Sequence, residues 1–246
     1  MNQKQKAGWL ELLKDDKHYY GDFGQKFLSN SNIKTLFTNP TALHEEQQKT
    51  SAFLVGGYFH TAILEPDKLK KYLVIPSATR NTKLYKEMSG GELCLLQHEV
   101  DHIEKLSEKL LNNETCNHLI NKGLVEHEAP GLAMLYDNYW KGKADIINHD
   151  EKLVIDLKTT NDISNFRYSA KRYNYDSQAY IYMKLFGYDM LFIAIDKPTG
   201  KIVLFECSSE FYMSGEDKVV KATEIYDLFY KTKGFEADQY FETQTL

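Results

Sequence analysis

Cysteine is scarce: the 246 residues contain only Cys94, Cys116 and Cys207. The number is odd, the three lie far apart and no Cys-x-x-Cys pair occurs. That argues against a disulfide framework or a zinc ribbon and fits a reducing cytoplasm. Proline is scarce too, at five residues, which argues against a Pro-rich linker or stalk. No apolar run approaches the roughly 18 residues of a membrane span. The stretch MNQKQKAGWLELLKDDKHYY has no apolar signal core, so the chain is expected neither to span a membrane nor to be secreted. Net positive charge is also missing. Thirty Lys+Arg against 35 Asp+Glu leave −5, so there is no general basic coat and any contact with nucleic acid must be local.

What is present is globular material. Hydrophobic residues make up 42% and charged residues 26%, which excludes wholesale disorder, and aromatics are plentiful with 17 Tyr and 13 Phe. The length allows a substantial core. The first half reads helical. Ser29 or Ser31 caps a short helix through IKTLF, TSAFLVGGYFHTAIL over 50–64 is an apolar helix stopped at Glu65-Pro66, and residues 92–112 form an amphipathic helix. Near Gly123 the texture changes. GLVEHEA, GLAMLYDNYWKGKADII and KLVIDLKTT read as three strands, with turns at Pro130-Gly131 and 148–150. A helix over about 174–186, a hairpin around 197–200 and a final helix over about 209–232 follow. The order predicts one α/β domain spanning 1–246, with a helical N-terminal region (1–122), a sheet region (123–207) and a C-terminal helix and tail (208–246).

The most informative stretch is Lys143-Ala144-Asp145 followed by Ile155-Asp156-Leu157-Lys158. Strand alternation puts Asp156 and Lys158 on one face, about 6.5–7 Å apart. If the strands pair through the turn at 148–150, Asp145 comes close to Asp156. Two adjacent carboxylates repel, and a divalent cation resolves the conflict. Oxygen ligands on neighbouring strands suit Mg²⁺ or Mn²⁺, and a lysine beside the metal can orient or deprotonate an attacking water. Together these are hydrolytic equipment for a phosphodiester. The ordinary alternative is a strand with surface charges. Against it, Asp156 and Lys158 interrupt an otherwise apolar strand, where unpaired charge is costly.

Asp-x(10)-Asp-Leu-Lys, followed by Gln178-Ala179-Tyr180-Ile181-Tyr182, resembles the PD-(D/E)xK nuclease superfamily, and the Q-x-x-x-Y element resembles its RecB-like and phage exonuclease branch. GGYFHTAILEP, with His60, FLSNSNIKTLFTNP and VIPSATRNTKLYKE resemble segments of RecE-type (exonuclease VIII-like) phage exonucleases, in family order from about residue 28 to 186. The resemblance implies a restriction-endonuclease-like mixed β-sheet core flanked by helices. It implies Asp145, Asp156, His60 and the Leu157 carbonyl as metal ligands, with two Mg²⁺ (or Mn²⁺) ions per site, and Lys158 as the residue acting on water. Gln178 and Tyr182, one helical turn apart, would position the site and the DNA backbone. Glu126 is a tentative additional acid; Glu128 shares its parity. Asn81 and Leu84-Tyr85 depart from the family's Arg-x-Thr segment, which leaves the roles of Arg80 and Lys83, as candidate DNA contacts, open. The function implied is metal-dependent hydrolysis of DNA, most specifically a double-strand exonuclease resecting ends in phage or prophage recombination. Its partners would be duplex ends, a single-strand annealing protein and further copies of the chain in a ring. The alternatives are a structure-specific endonuclease and a non-catalytic DNA-binding or inhibitor module on the same fold.

Other patterns compete. His98-Glu99-Val100-Asp101-His102 is a literal H-E-x-x-H, the zincin pattern. At about 100° per residue the two histidines project with Lys105 and Lys109, opposite Leu96, Val100, Ile103 and Leu110, so they are expected on a solvated face. The tyrosines are read mostly as core rather than base-stacking residues. Arg167, Lys171 and Arg172 form either a solvated charge run or a phosphate-binding patch. The iron–sulfur nucleases of the branch need four cysteines, one more than this chain has.

Overall fold

The computed structural model describes residues 2–45 and 48–241; the last five residues of the expected tail, 242–246, lie outside the described residues. The chain opens with α1 (Gln3–Leu13) and α2 (Asp16–Tyr20), whose first turns are capped by the side chains of Asn2 and Asp15. α3 (Asn30–Thr38) starts at Ser29, where Asn32 reaches back to the Ser29 N–H at 2.8 Å. α4 (Ser51–Leu64) is capped by Thr50 and ends just before Pro66.

A two-residue parallel pair, β1 (Val74–Ile75) and β2 (Leu95–Leu96), brackets α5 (Lys83–Ser89). Because Leu95 and Leu96 pair as a strand, α6 (Gln97–Asn112) begins later than the 92 expected from the pattern. α7 (Glu114–Asn121) is a separate short helix.

The sheet has five strands in the order β3 (Val125–Leu135), β4 (Asn138–Asn148), β5 (Leu153–Thr160), β6 (Asp189–Asp196) and β7 (Ile202–Glu206). All neighbours are antiparallel except β5 and β6, which are parallel and joined through α8 (Phe166–Arg172) and α9 (Tyr175–Phe186). α10 (Ser209–Tyr230) closes the fold. Alternation along the strands feeds two cores. Val154 and Phe192 pack under α3, α9 and α10, while Ile155, Leu157, Leu191 and Ile193 pack under α4, α6 and α7. Where α10 crosses α9, a Cβ at Gly215 would stand 2.1 Å from the Asp176 carbonyl oxygen, so only glycine allows that approach.

The turn expected at Pro130-Gly131 is not there. β3 runs straight through both residues, and the chain reverses at Tyr136-Asp137, with φ of 50° and 58°. Pro130 is tolerated because β3 is an edge strand, whose outward N–H has no partner to lose. The left-handed turn is made without glycine, so the sequence carried no Asn-Gly or Asp-Gly signal for it.

The N-terminal segment forms a small cluster of its own. Leu13, Tyr19 and Phe27 pack with Leu132, flanked by Trp9, Leu10, Phe23 and Tyr139. Leu28 then pairs with β4, donating its N–H to the Tyr139 carbonyl at 2.9 Å and accepting from the Lys141 N–H at 2.7 Å.

Candidate active site

The site begins where β4 and β5 part. Their register runs Asn148↔Leu153, Ile147↔Val154 and Ile146↔Ile155, and ends there. The next facing residues are Asp145 and Asp156. Beyond them β5 keeps its partner β6, whereas β4 finds Leu28 at Trp140. The fork leaves the Leu157 N–H without a strand partner on that side, and it donates to Asp145 Oδ2 at 2.7 Å.

Four side chains converge on the fork from three elements. His60, near the end of α4, places Nδ1 3.1 Å from Asp145 Oδ2. Lys158, two residues along β5, sets its ammonium against Asp156 Oδ2. Gln178, on α9, donates its amide to Asp156 Oδ1. One turn later the Tyr182 hydroxyl donates to the Lys143 carbonyl at 2.9 Å and pins β4 beside the fork. The Tyr182 ring lies close enough to β4 that a Cβ at Gly142 would stand 2.6 Å from it.

Both aspartates are buried, at 8% and 3% exposure, while the side chains of His60 and Lys158 retain 29% and 16%. The site is therefore a cleft with a closed floor and an open mouth. Burial works against ionising Asp145, but His60, Lys158 and the Leu157 N–H outweigh it and hold its carboxyl below the ordinary value. Asp156 goes the other way: burial dominates, Lys158 offsets it in part, and the Asp145 charge adds to the rise. Burial also opposes charge on His60 and Lys158, yet Asp145 raises the imidazole and Asp156 raises the ammonium.

Among the described residues, no three His, Cys, Asp or Glu side chains already surround one point as a metal cage. The donor chemistry nevertheless fits a hard divalent cation. Two buried carboxylates face each other across the fork, an imidazole lies alongside, and Asp156 Oδ2 touches Lys158 without gaining a well-aligned hydrogen bond.

The family model of the PDDEXK-like domain of unknown function (DUF3799) matches residues 29–234. The chain belongs to this PDDEXK-like family. A candidate exonuclease from Eubacterium rectale shares the fold, with a TM-score of 0.61 and 14% identity over 94% of this chain and 95% of that chain. A phage related exonuclease from Haemophilus somnus 129PT aligns with 17% identity over 82% of this chain and 93% of that chain, at a TM-score of 0.37. A comparison with curated proteins finds no match.

Within the PDDEXK-like fold the remaining expected residues fall in three places. Glu126 is a correction: it is exposed and pairs with His149 at 2.7 Å, outside the cleft. Glu128 faces the cleft instead, where burial and then Asp145 push its carboxyl up to about 7. Shared parity hid this difference, because Glu128 has a left-handed backbone (φ 50°) that redirects it. Arg80 is also a correction. Its guanidinium grips both oxygens of Glu99, at 2.8 and 2.6 Å, and the Cys94 carbonyl, so it is a brace for β2 and α6. Lys83 is exposed on α5 opposite Glu87. Arg167, Lys171 and Arg172 are exposed on α8, just after β5. The H-E-x-x-H histidines are exposed, and their intervening Glu99 belongs to Arg80.

Residues with no motif to mark them complete the cleft. Tyr175 lies under Lys158, its ring 4.6 Å from the ammonium. Lys143 is paired with Asp16 of α2 at 2.5 Å, and Lys141 is held by the Tyr19 carbonyl and ring. Burial and then Lys143 lower Lys141 to about 8. Among the described residues no helix is long and apolar enough to cross a membrane.

Proposed function

We propose that this chain is a metal-dependent nuclease that hydrolyses DNA phosphodiester bonds, and specifically a double-strand exonuclease that resects ends. The observation that carries the reading is the fork itself. A half-buried lysine, two buried aspartates and a histidine are delivered by three separate elements to one solvent-open cleft. Nothing in packing requires that concentration of charge, and its desolvation is costly unless the site has chemistry to do.

Asp145, Asp156, His60 and the Leu157 carbonyl are the residues that would hold Mg²⁺ or Mn²⁺, as two ions in this proposal. The bound metal supplies Lewis-acid stabilisation of the phosphoryl oxygens and a more acidic water. Lys158, kept protonated by Asp156, orients the attacking water and meets the charge that builds on the phosphate. Gln178 fixes one oxygen of Asp156 so that the other faces the cleft. Tyr182 holds β4, and with it Asp145, at a fixed distance from α9. Duplex ends, a single-strand annealing protein and further copies of the chain in a ring are the partners this reading proposes, with phage or prophage recombination as its setting.

The test incubates purified protein and Mg²⁺ with linear and covalently closed circular duplex DNA. Linear DNA is expected to be degraded and circles to survive. Cutting of circles would make the chain an endonuclease. Binding without cleavage of either would make it a DNA-binding module. Lys158→Ala is expected to fold, bind metal and DNA, and lose about 10²–10⁴-fold in kcat, because the lysine acts in the transition state.

A further inference from the structure

Most tyrosines are buried or half-buried; among the exposed ones, Tyr168 and Tyr173, at 81% and 60%, lie together on and just after α8, whereas Tyr20 is exposed on α2. The helix is anchored by Phe166 and Ala170, one turn apart and buried. That leaves Arg167, Tyr168, Lys171 and Arg172 outside. All three cations are exposed and none makes an ion pair among the described residues.

Tyr173 is the outer end of an aromatic row that leads inward. Its ring centroid lies 6.0 Å from Tyr175, whose ring stacks on Phe192 at 5.5 Å and carries the Lys158 ammonium 4.6 Å from its centroid. The segment is also fixed in place. Lys218 of α10 donates to the Lys171 carbonyl, Asn174 Oδ1 and Asp176 Oδ1, at 2.7–2.9 Å, and so clamps the α8–α9 junction from behind. A rigid support, exposed rings and unpaired cations are the components with which proteins hold single strands. Rings take the bases and cations take the phosphates.

We propose that the outer face of α8 and the turn after it are a stacking platform for unpaired DNA bases, with Tyr168 and Tyr173 as the stacking residues and Arg167, Lys171 and Arg172 on the phosphates. The platform deepens the nuclease reading and rests on it: the strand bound at Lys158 is unpaired along α8. Two exposed rings offer stacking faces, and the neighbouring cations suit an anionic partner.

The experiment uses Lys158→Ala protein with Mg²⁺ and three fluorescent probes: a single-stranded oligonucleotide, a duplex with a single-stranded overhang and a blunt duplex. Each single-stranded region carries 2-aminopurine. Adding Tyr168→Ala and Tyr173→Ala is expected to weaken single-strand and overhang binding at least about tenfold and to abolish the 2-aminopurine quenching that stacking causes. Blunt-duplex binding should change by less than about threefold, and the Tyr→Phe pair should restore both signals, since stacking needs the ring and not the hydroxyl. Unchanged quenching, equal weakening on blunt duplex, or failure of the Phe pair would overturn the platform. The two readings fail separately. Wild-type protein that binds but never cuts, with tyrosine-dependent quenching intact, removes the nuclease reading alone. Wild-type cleavage with tyrosine-independent binding removes the platform alone.

Discussion

Glu128 enters the cleft from a left-handed backbone position beside Asp145, and burial raises its carboxyl from 4.5 to about 7. A carboxyl raised on folding contributes fully to stability below its unfolded value, and the contribution is lost as pH rises through the folded value. Between about pH 4.5 and 7 the folded state therefore loses stability at Glu128. Glu128→Gln removes that loss. In the presence of a chelator, the variant is expected to gain about 2–6 °C in Tm over wild type at pH 8 and much less at pH 5. An equal gain at both pH values would show that Glu128 is not held in this way. At this scale the sequence was informative wherever a residue type in a fixed spacing implied chemistry, as with Asp145, Asp156 and Lys158. It was silent where a single backbone angle decides. Glu126 and Glu128 have the same parity and the same side chain, and only a positive φ separates the ion pair on the surface from the acid in the cleft.

Elements were legible where periodicity was long. α4, α9, α10 and the hairpin β6–β7 fall close to their expected bounds, because each buries a continuous apolar face. The β3–β4 turn was not legible, since Tyr136 and Asp137 take left-handed angles without the residues that advertise them. Nor was α8, whose seven residues bury only Phe166 and Ala170. The convergence of α4 on the fork is a tertiary fact that spacing alone does not encode; it entered through the resemblance around His60. α8 also carries a prediction of its own. Replacing Arg167, Lys171 and Arg172 together with Gln should weaken DNA binding and flatten its dependence on salt. The expected change is roughly 0.7–0.9 log unit of slope for each phosphate that the chain no longer neutralises. A slope that does not move would place the DNA track elsewhere, with Lys83 as the next candidate.

At the scale of the whole molecule, the 246 residues carry −5. That balance argues against a uniform attraction to DNA, and the proposed function would have binding focused at α8 and the cleft mouth. The N-terminal helices contribute a different kind of support. Residues before 29 lie outside the family match, yet they cover Leu132 and Tyr139 and hold both lysines that precede Asp145 on β4. Removing residues 2–27 is expected to lower the Tm and to promote aggregation, by uncovering apolar surface on β3 and β4. An unchanged melting curve for a soluble truncated chain would show that this cluster is dispensable.

The Leu157 N–H donates to a carboxylate where an ordinary strand amide would donate to a carbonyl. A proton held by an ionised oxygen is strongly deshielded, and its resonance follows the charge on that oxygen. Any divalent ion drawing on Asp145 should therefore move the Leu157 amide peak in a ¹⁵N spectrum before substrate is added. The fork would provide its own spectroscopic indicator of the proposed ion, on the backbone beside the side chains proposed to do the chemistry.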